Sequence, residues 1–430
     1  MPGFLGGLLE WGRVHGNIDQ EPLVLALVGL PARGKSYTGR KIGRYLKWLG
    51  YRTRVFNVGE YRRERIGAQQ PHDFFDPDNP EGLAARRELA LEALADMVEW
   101  FREGGQVAIY DATNSTRARR DLLRMCCDRI GIRMVYIEIV SDDPTLIEAN
   151  ILATKIGSPD YAGIDPDRAV EDFRARIAHY GAAYEHVADD EGSYIRMIDA
   201  GRQLVVSDVQ GYLPSRLVYF LMNLHLTMRP ILLTRHGESI SNISGRIGED
   251  SELAPRGERY ARGLASWVHT YSPTEGGLVV WTSSLKRTIR TAEALGRPFT
   301  SWRALDEIDA GECDGMTYRQ IERSMPEEYA ARARDKLNYR YPRGESYQDV
   351  IHRIDPVVME LERQRTPVLI IAHQAVLRAL YAYFTSVPPE KSPHTRIPLH
   401  TIIKLTPHAY GCHEERVELG PAAQPMASSG

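Results

Sequence analysis

Leu23-Val-Leu-Ala-Leu-Val28 runs straight into Gly29-Leu-Pro-Ala-Arg-Gly34-Lys35-Ser36. Six consecutive apolar residues are what a parallel strand buried on both faces requires. The glycine-bounded stretch after them has the form G-x-x-x-x-G-K-[ST]. In such a loop the glycines let the backbone wrap inward, so that several N–H groups point at a phosphate chain. The lysine adds positive charge at the β and γ phosphates, and the serine offers a hydroxyl to Mg²⁺. A glycine turn with a surface lysine would share the letters but not the context. Here the loop leaves a predicted strand and opens a predicted helix over Lys35–Trp48, which is the setting the motif needs.

Outward from this point, Val55-Phe-Asn-Val58, Val107-Ala-Ile-Tyr-Asp111 and Met134–Val140 read as further short strands. Gly82–Arg102 has helical spacing and stops at Gly104-Gly105. Strand and helix alternate, which predicts an α/β layer fold with a mainly parallel sheet. A second alternation begins near Pro230: Ile231–Thr234, Leu278–Trp281 and Val368–Ala372 each lead into a polar turn and a helical segment. The domains expected are therefore residues 21–228 and 229–420, with a glycine-rich leader at 1–20 and a small, polar, disordered tail at 421–430. No Gly/Ser tract marks the join near His225–Pro230, so a short connector is expected.

The 430 residues, net charge of -3 and 43% hydrophobic content suit two soluble domains with their own cores. A near-neutral balance gives no general attraction to nucleic acid or to an anionic membrane. The start, Met-Pro-Gly-Phe-Leu-Gly-Gly-Leu-Leu-Glu, lacks a basic n-region, and no apolar stretch approaches bilayer length. Four cysteines, Cys126, Cys127, Cys313 and Cys412, show no C-x-x-C spacing, so neither a zinc site nor a disulfide framework is indicated. A cytoplasmic protein is expected.

In the first half, Asp111 ends a strand and can hold Mg²⁺, help deprotonate an acceptor hydroxyl, or simply cap a helix. Arg62-Arg63, Arg86-Arg87, Arg119-Arg120 and Lys155 are candidates for an anionic acceptor, although such pairs are also common on solvated helix faces. The absence of N-K-x-D speaks against a guanine-reading switch.

In the second half, Leu-Leu-Thr-Arg235-His236-Gly237-Glu238 places an arginine and a histidine at a strand end. A phosphoryl-accepting histidine needs a neutral ring nitrogen aimed at phosphorus and cations to disperse charge. Arg235 can clamp equatorial oxygens, Arg287 follows the strand of Val-Val-Trp-Thr-Ser-Ser, and His373 follows Val-Leu-Ile-Ile-Ala. Ligands of open α/β sheets bind at the carboxyl ends of strands, so all three should converge. Glu307 is chosen as general acid over its neighbours Asp306, Asp309 and Glu312. A bound phosphate beside it would favour the protonated carboxyl. No H-E-x-x-H helix is present for zinc hydrolysis, and no D-x-D-x-T for an aspartate phosphatase.

With these residues in place, the chain resembles the bifunctional 6-phosphofructo-2-kinase/fructose-2,6-bisphosphatase family from about Glu21 to about Leu419. The resemblance rests on Val-Gly-Leu-Pro-Ala-Arg-Gly-Lys-Ser, Tyr-Arg-Arg-Glu, Asp-Ala-Thr-Asn and Gly-Ser-Pro-Asp-Tyr in the first half. In the second it rests on Arg-His-Gly-Glu-Ser, Trp-Thr-Ser-Ser-Leu-Lys-Arg-Thr, Glu-Ile-Asp-Ala-Gly, Tyr-Pro-Arg-Gly-Glu-Ser-Tyr and Ala-His-Gln-Ala-Val-Leu-Arg. It implies a P-loop kinase domain followed by a histidine phosphatase domain of phosphoglycerate-mutase-like fold. One would move the γ-phosphate of ATP to the 2-hydroxyl of fructose 6-phosphate with Mg²⁺. The other would hydrolyse fructose 2,6-bisphosphate through a phosphohistidine without a cofactor.

The resemblance assigns nucleotide contacts to Gly29, Arg33, Gly34, Lys35, Ser36 and Tyr37, metal contacts to Ser36 and Asp111, and an Asp-x-Thr site to Asp111 and Thr113. It places Arg63, Arg86, Arg119, Lys155, Arg176 and Tyr180 at the sugar phosphate or transferring phosphate. Asn242 joins the phosphatase clamp, and Tyr318, Arg332, Lys336, Tyr347, Gln374 and Arg378 form a pocket for the 6-phosphate. It also suggests a homodimer. Two rivals stay open at this level: the same fold with only one active domain, and a polynucleotide kinase/phosphatase.

Overall fold

In the computed structural model, which describes residues 21–157, 159–224, 229–272, 275–408 and 411–419, Leu23–Val28 forms β1 with all six side chains buried. The chain divides into two units, Met1–Leu224 and His225–Gly430. The expected leader, the connector residues 225–228 and the expected tail lie outside the described residues.

From β1 the first unit runs through α1 (Lys35–Trp48), β2 (Thr53–Asn57), α2 (Val58–Ile66), α3 (Pro80–Arg102), β3 (Val107–Asp111), α4 (Arg117–Arg129) and β4 (Arg133–Val140). It continues through α5 (Pro144–Gly157), α6 (Pro166–Ala182), β5 (Tyr194–Ile198), β6 (Gln203–Ser207) and α7 (Tyr212–Met222). Among the described residues the sheet has the order β2-β3-β1-β4-β5-β6, parallel except for β6. The chain leaves β1 toward β2 and β3 and later crosses back to β4, so β1 stands where the strand order reverses. That is where an open α/β sheet binds its ligand.

Val24, Ala26 and Val28 point to the face packed by Leu89, Met97 and Phe101 of α3 and by Leu123 and Cys127 of α4. Burying each Leu or Phe of this kind contributes about 1.5–3 kcal/mol. α3 begins at Pro80, two residues before the apolar spacing suggests, because proline fits the first helical position and the Asn79 side chain caps Gly82 N at 2.9 Å. The β5–β6 hairpin has a weak sequence signal: its turn puts Asp199 and Ala200, as well as Gly201, at φ 47°, 56° and 91°, and no residue of β6 is buried.

The second unit comprises β7 (Ile231–Arg235), α8 (Ile240–Ser244), α9 (Pro255–Tyr271), β8 (Val279–Thr282), α10 (Lys286–Glu293), β9 (Thr300–Ser301), α11 (Tyr318–Ser324) and α12 (Pro326–Arg334). α13 (Tyr347–Arg363), β10 (Val368–Ala372), α14 (Gln374–Thr385), β11 (Thr401–His408) and β12 (Gly411–Glu418) complete it. The sheet order is β12-β11-β7-β10-β8-β9, with the last four strands parallel and the β11–β12 hairpin antiparallel against β7. Leu232, Leu369, Ile371 and Ile402 share a core with Tyr260, Leu264 and Val268 of α9. Among the described residues no helix is long and apolar enough to cross a membrane. None of the four cysteines is in a disulfide.

Candidate active sites

At the end of β1 the chain must turn sharply. Gly29 takes φ 138°, and a Cβ there would meet Ile139 O at 2.4 Å, so only glycine lets the loop pass the end of β4. Gly34, at φ 88°, then opens α1. Lys35 is buried, and its Nζ donates to Leu30 O at 2.7 Å inside the loop. Burial lowers the Lys35 ammonium to about 8, against the pull of Asp111. Asp111 is buried at the end of β3, and its carboxyl is raised by burial while hydrogen bonds from Ser36 and Asn57 and the charge of Lys35 oppose the shift. Ser36 and Asp111 therefore offer two hard oxygens side by side, a donor set that suits Mg²⁺. Arg33 donates to Pro31 O at 3.3 Å at the rim, and Tyr37 lies under Lys41 Nζ at 5.3 Å. Thr113 contributes its carbonyl, which accepts from Gly29 N at 3.0 Å.

A further residue, Asn57, stands at this site. Parallel register sets it beside Asp111, where its Nδ2 donates to the carboxylate while its Oδ1 caps α2 through Glu60 N at 3.1 Å. The only signal was a polar residue closing an apolar run.

The candidate acceptor residues gather around Phe75 and Asp160. Arg176 lies 3.6 Å from the Phe75 ring centroid and 3.5 Å from Asp160, and Tyr180 packs on the same ring at 6.0 Å. Arg86 is hydrogen-bonded to Tyr180 and donates to Asp76 O at 3.1 Å, and Arg119 reaches the Arg86 carbonyl at 3.3 Å. Arg63 stands 3.9 Å from Asp160, whereas Arg62, its neighbour, makes the close buried pair at 2.5 Å. Asp160 is thus the carboxylate that collects three guanidinium groups. Among the described residues the Nε atoms of Arg86 and Arg176 are buried without an acceptor, donors that a water or an anion could satisfy. The side chain of Lys155 lies outside the described residues.

In the second unit, register pairs Arg235 with Ala372, so His236 and His373 leave adjacent parallel strands together. Their ring centroids are 5.1 Å apart, and both residues are buried. His236 Nδ1 lies 2.7 Å from Gly237 O, which can only accept, so the ring proton sits there. Nε2 then holds a lone pair, which accepts from Arg287 Nε at 3.2 Å. Burial first, then Arg287 and Arg235, hold His236 well below its usual range. Burial and the same cations do so for His373. Both rings are therefore neutral near pH 7. The next residue, Gly237, has no room for a side chain, since a Cβ would meet Gly257 O at 2.5 Å.

Ser283, at the end of β8, holds His373 Nε2 at 2.7 Å and Thr288 Oγ1 at 2.7 Å. It was visible in Trp-Thr-Ser-Ser only as a hydroxyl among others. Among the described residues His373 Nδ1 and Arg235 Nε are buried with no hydrogen-bond partner. Asn242 spends its Oδ1 on the Ser239 capping box, which leaves its NH₂ for a ligand.

The carboxylates near Glu307 separate by location. Asp306 accepts from Ser284 N at 2.7 Å, Asp309 from Gly311 N at 2.8 Å, and Glu312 pairs with Arg343 at 3.1 Å. Glu307 alone of these meets the start of α14, accepting from Gln374 N at 3.1 Å and Ala375 N at 3.0 Å, immediately after His373. Arg332 donates to Tyr341 and Tyr318 hydroxyls at 2.8 and 2.9 Å, and Arg378 to Tyr347 OH at 2.9 Å. Lys336 Nζ donates to Pro393 O at 2.8 Å, and burial with Arg378 and Arg332 nearby lowers it to about 8. These three cations are held by hydroxyls and carbonyls rather than carboxylates, which leaves their charge available to an anionic ligand.

A 6-phosphofructo-2-kinase family model matches residues 12–228, and a histidine phosphatase superfamily (branch 1) model matches 231–419. The chain is 52% identical over 407 residues to a 6-phosphofructo-2-kinase/fructose-2,6-bisphosphatase of Arabidopsis thaliana, covering 93% of this chain and 54% of that protein. It thus spans about half the length of the plant relative. It is 50% identical to the Gallus gallus protein of that name, covering 94% of this chain and 86% of the other. Identity to the human form numbered 4 is 49%, with 94% and 86% covered. Two domain matches in the same order, and near-half identity across almost the whole chain, place it in one family: the chain belongs to the bifunctional 6-phosphofructo-2-kinase/fructose-2,6-bisphosphatases.

Proposed function

We propose that the first unit transfers the γ-phosphate of ATP to the 2-hydroxyl of fructose 6-phosphate, and that the second hydrolyses fructose 2,6-bisphosphate back to fructose 6-phosphate and phosphate. The observation that carries this reading is the pairing, in one chain of this family, of a lysine-bearing phosphate cradle with a neutral histidine whose Nε2 lone pair faces an arginine.

In the first unit the loop amides and Lys35 grip the triphosphate and disperse charge on the transferring group. Ser36 and Asp111 would hold Mg²⁺, which supplies charge neutralisation at the phosphates. Asn57 fixes the orientation of Asp111, and Arg63, Arg86, Arg119, Arg176 and Tyr180, with Lys155, bind the sugar phosphate. In the second unit His236 Nε2 attacks phosphorus, the bond from phosphorus to the sugar 2-oxygen breaks, and Glu307 delivers the proton that oxygen needs. Glu307 then takes a proton from water as its oxygen attacks the phosphohistidine, which releases phosphate and restores the neutral ring. Arg235, Arg287, His373 and Asn242 hold the phosphoryl oxygens. Tyr318, Arg332, Lys336, Tyr347, Gln374 and Arg378 hold the 6-phosphate. Four cysteines outside any disulfide suit a reducing cytoplasm, and we take the assembly to be a homodimer, which sedimentation velocity would measure.

Incubation of the full chain with ATP, Mg²⁺ and fructose 6-phosphate should yield an acid-labile bisphosphate. Quenched turnover of labelled fructose 2,6-bisphosphate should leave the label on His236. A turning-over enzyme with no adduct on that ring would refute the phosphatase mechanism, and absence of the bisphosphate product would refute the kinase.

A further inference from the structure

A short 3-10 turn, His72–Phe75, lies against α6 beside the acceptor residues. Its His72 Nδ1 is 3.3 Å from His179 Nε2 and 3.0 Å from Asp73 Oδ1. On its far side His179 presents Nδ1 to Asp76 Oδ2 at 3.4 Å. With its proton on Nδ1, toward Asp76, His179 turns an Nε2 lone pair to His72. His72, Asp73 and His179 then offer three ligand atoms within 4.8 Å of one another. The backbone holds this arrangement: His72 N donates to Asp172 Oδ1 at 3.1 Å, and Asp172 is anchored by Tyr161 OH at 2.8 Å.

We propose that His72, His179 and Asp73 form a binding site for a divalent transition-metal ion of the zinc class. Two nitrogens each about 2.0–2.1 Å from a tetrahedral zinc stand roughly 3.3 Å apart, which is the spacing here. The near-coplanar rings, now head-on with centroids 5.5 Å apart, would turn to bring both lone pairs onto one ion. A carboxylate on the second nitrogen of a ligating histidine, here Asp76, fixes the tautomer and raises its basicity. Imidazole donors favour zinc, cobalt or nickel over Mg²⁺, so this site is chemically separate from the Ser36–Asp111 pair. Three protein ligands leave a fourth position open to water or an anion. The ion would brace the turn carrying Phe75, against which Arg176 lies, and Asp76, whose carbonyl holds Arg86.

The test uses the full chain stripped with a chelator and titrated with Zn²⁺ by calorimetry and with Co²⁺ by visible absorption. Wild type should bind an ion that His72→Ala and His179→Ala each lose by on the order of 100-fold, while Asp76→Asn weakens it about tenfold. Zn²⁺ should also slow hydrogen exchange at residues 72–76 in wild type but not in the variants. Circular dichroism verifies folding, and His179→Gln, which keeps the side-chain bulk, serves as the second variant. Equal Zn²⁺ affinity and stoichiometry in wild type and in the His72→Ala/His179→Ala double variant would overturn the proposal. So would displacement of bound Co²⁺ by millimolar Mg²⁺.

Discussion

On the proposed reading the two units solve the same problem, holding a phosphoryl group at the carboxyl ends of parallel strands, with different atoms. The first uses consecutive residues, Gly29 to Ser36, which wrap into a loop around the buried Lys35. The second uses separated side chains, Arg235 and His236 from β7, Arg287 from α10 and His373 after β10. In the first the decisive residue is a buried cation beside a buried carboxylate. In the second it is a ring kept neutral by burial and by arginines. The first arrangement suits a grip on a leaving polyphosphate, and the second suits a nucleophile.

The sharpest way to break this comparison is to remove each centre alone. His236→Ala deletes the nucleophile and should lower bisphosphatase turnover by at least about 10³-fold, with kinase rate unchanged. Lys35→Ala should lower kinase kcat by about 10²- to 10³-fold and leave hydrolysis intact. Separate assays of the two half-reactions check both, and loss of both activities in either variant would contradict the division of labour.

The ligand pocket tests whether the uncompensated cations recognise the second phosphate. Arg332→Ala removes a charged group held only by tyrosine hydroxyls. KM for fructose 2,6-bisphosphate should rise about 10- to 100-fold, because a hydrogen bond to a charged group is worth roughly 1.5–3 kcal/mol. Since the proposed role of Arg332 is to hold the other phosphate, kcat should change less than KM. A kcat loss with constant KM would put Arg332 at the reacting centre instead. A smaller effect is expected from Ser283→Ala, which frees His373 Nε2 from its 2.7 Å partner. Turnover should fall about tenfold, and Ser283→Thr, which retains a hydroxyl, should recover part of it.

The same contrast explains what was legible in the residues. The phosphate loop is contiguous, and each of its letters has a backbone or charge reason, so β1, the loop and α1 fall where the pattern predicts. Arg235-His236 and His373 were readable because each closes an apolar strand. Asn57 and Ser283 were not, because their importance comes from parallel register and from a histidine 90 residues away. Asp160 went unrecognised as the hub for Arg62, Arg63 and Arg176 for the same reason. The hairpins β5–β6 and β11–β12 lack glycine-rich or alternating signals strong enough to separate them from loops. Contacts between residues distant in the chain carry no local pattern.

The smallest effect follows from the opposite proton states of the two centres. Lys35 sits at about 8 in the free protein because burial disfavours its charge. A bound triphosphate favours that charge and raises the value, so ATP binding should take up a proton increasingly as pH passes 8. Affinity should weaken above pH 8 by at most about tenfold per pH unit, the limit for one proton. Calorimetry in buffers of different ionisation enthalpy would measure the uptake, which Lys35→Met should abolish. His236 behaves in the reverse sense: its ring is held below its usual range, so acid rather than base removes the nucleophile. Its protonation lies well below pH 6.5, and kcat/KM for hydrolysis should show no histidine-like loss between pH 7 and pH 6.5. A proton uptake that survives in Lys35→Met would move the titrating group elsewhere in the loop, and leave the contrast resting on geometry alone.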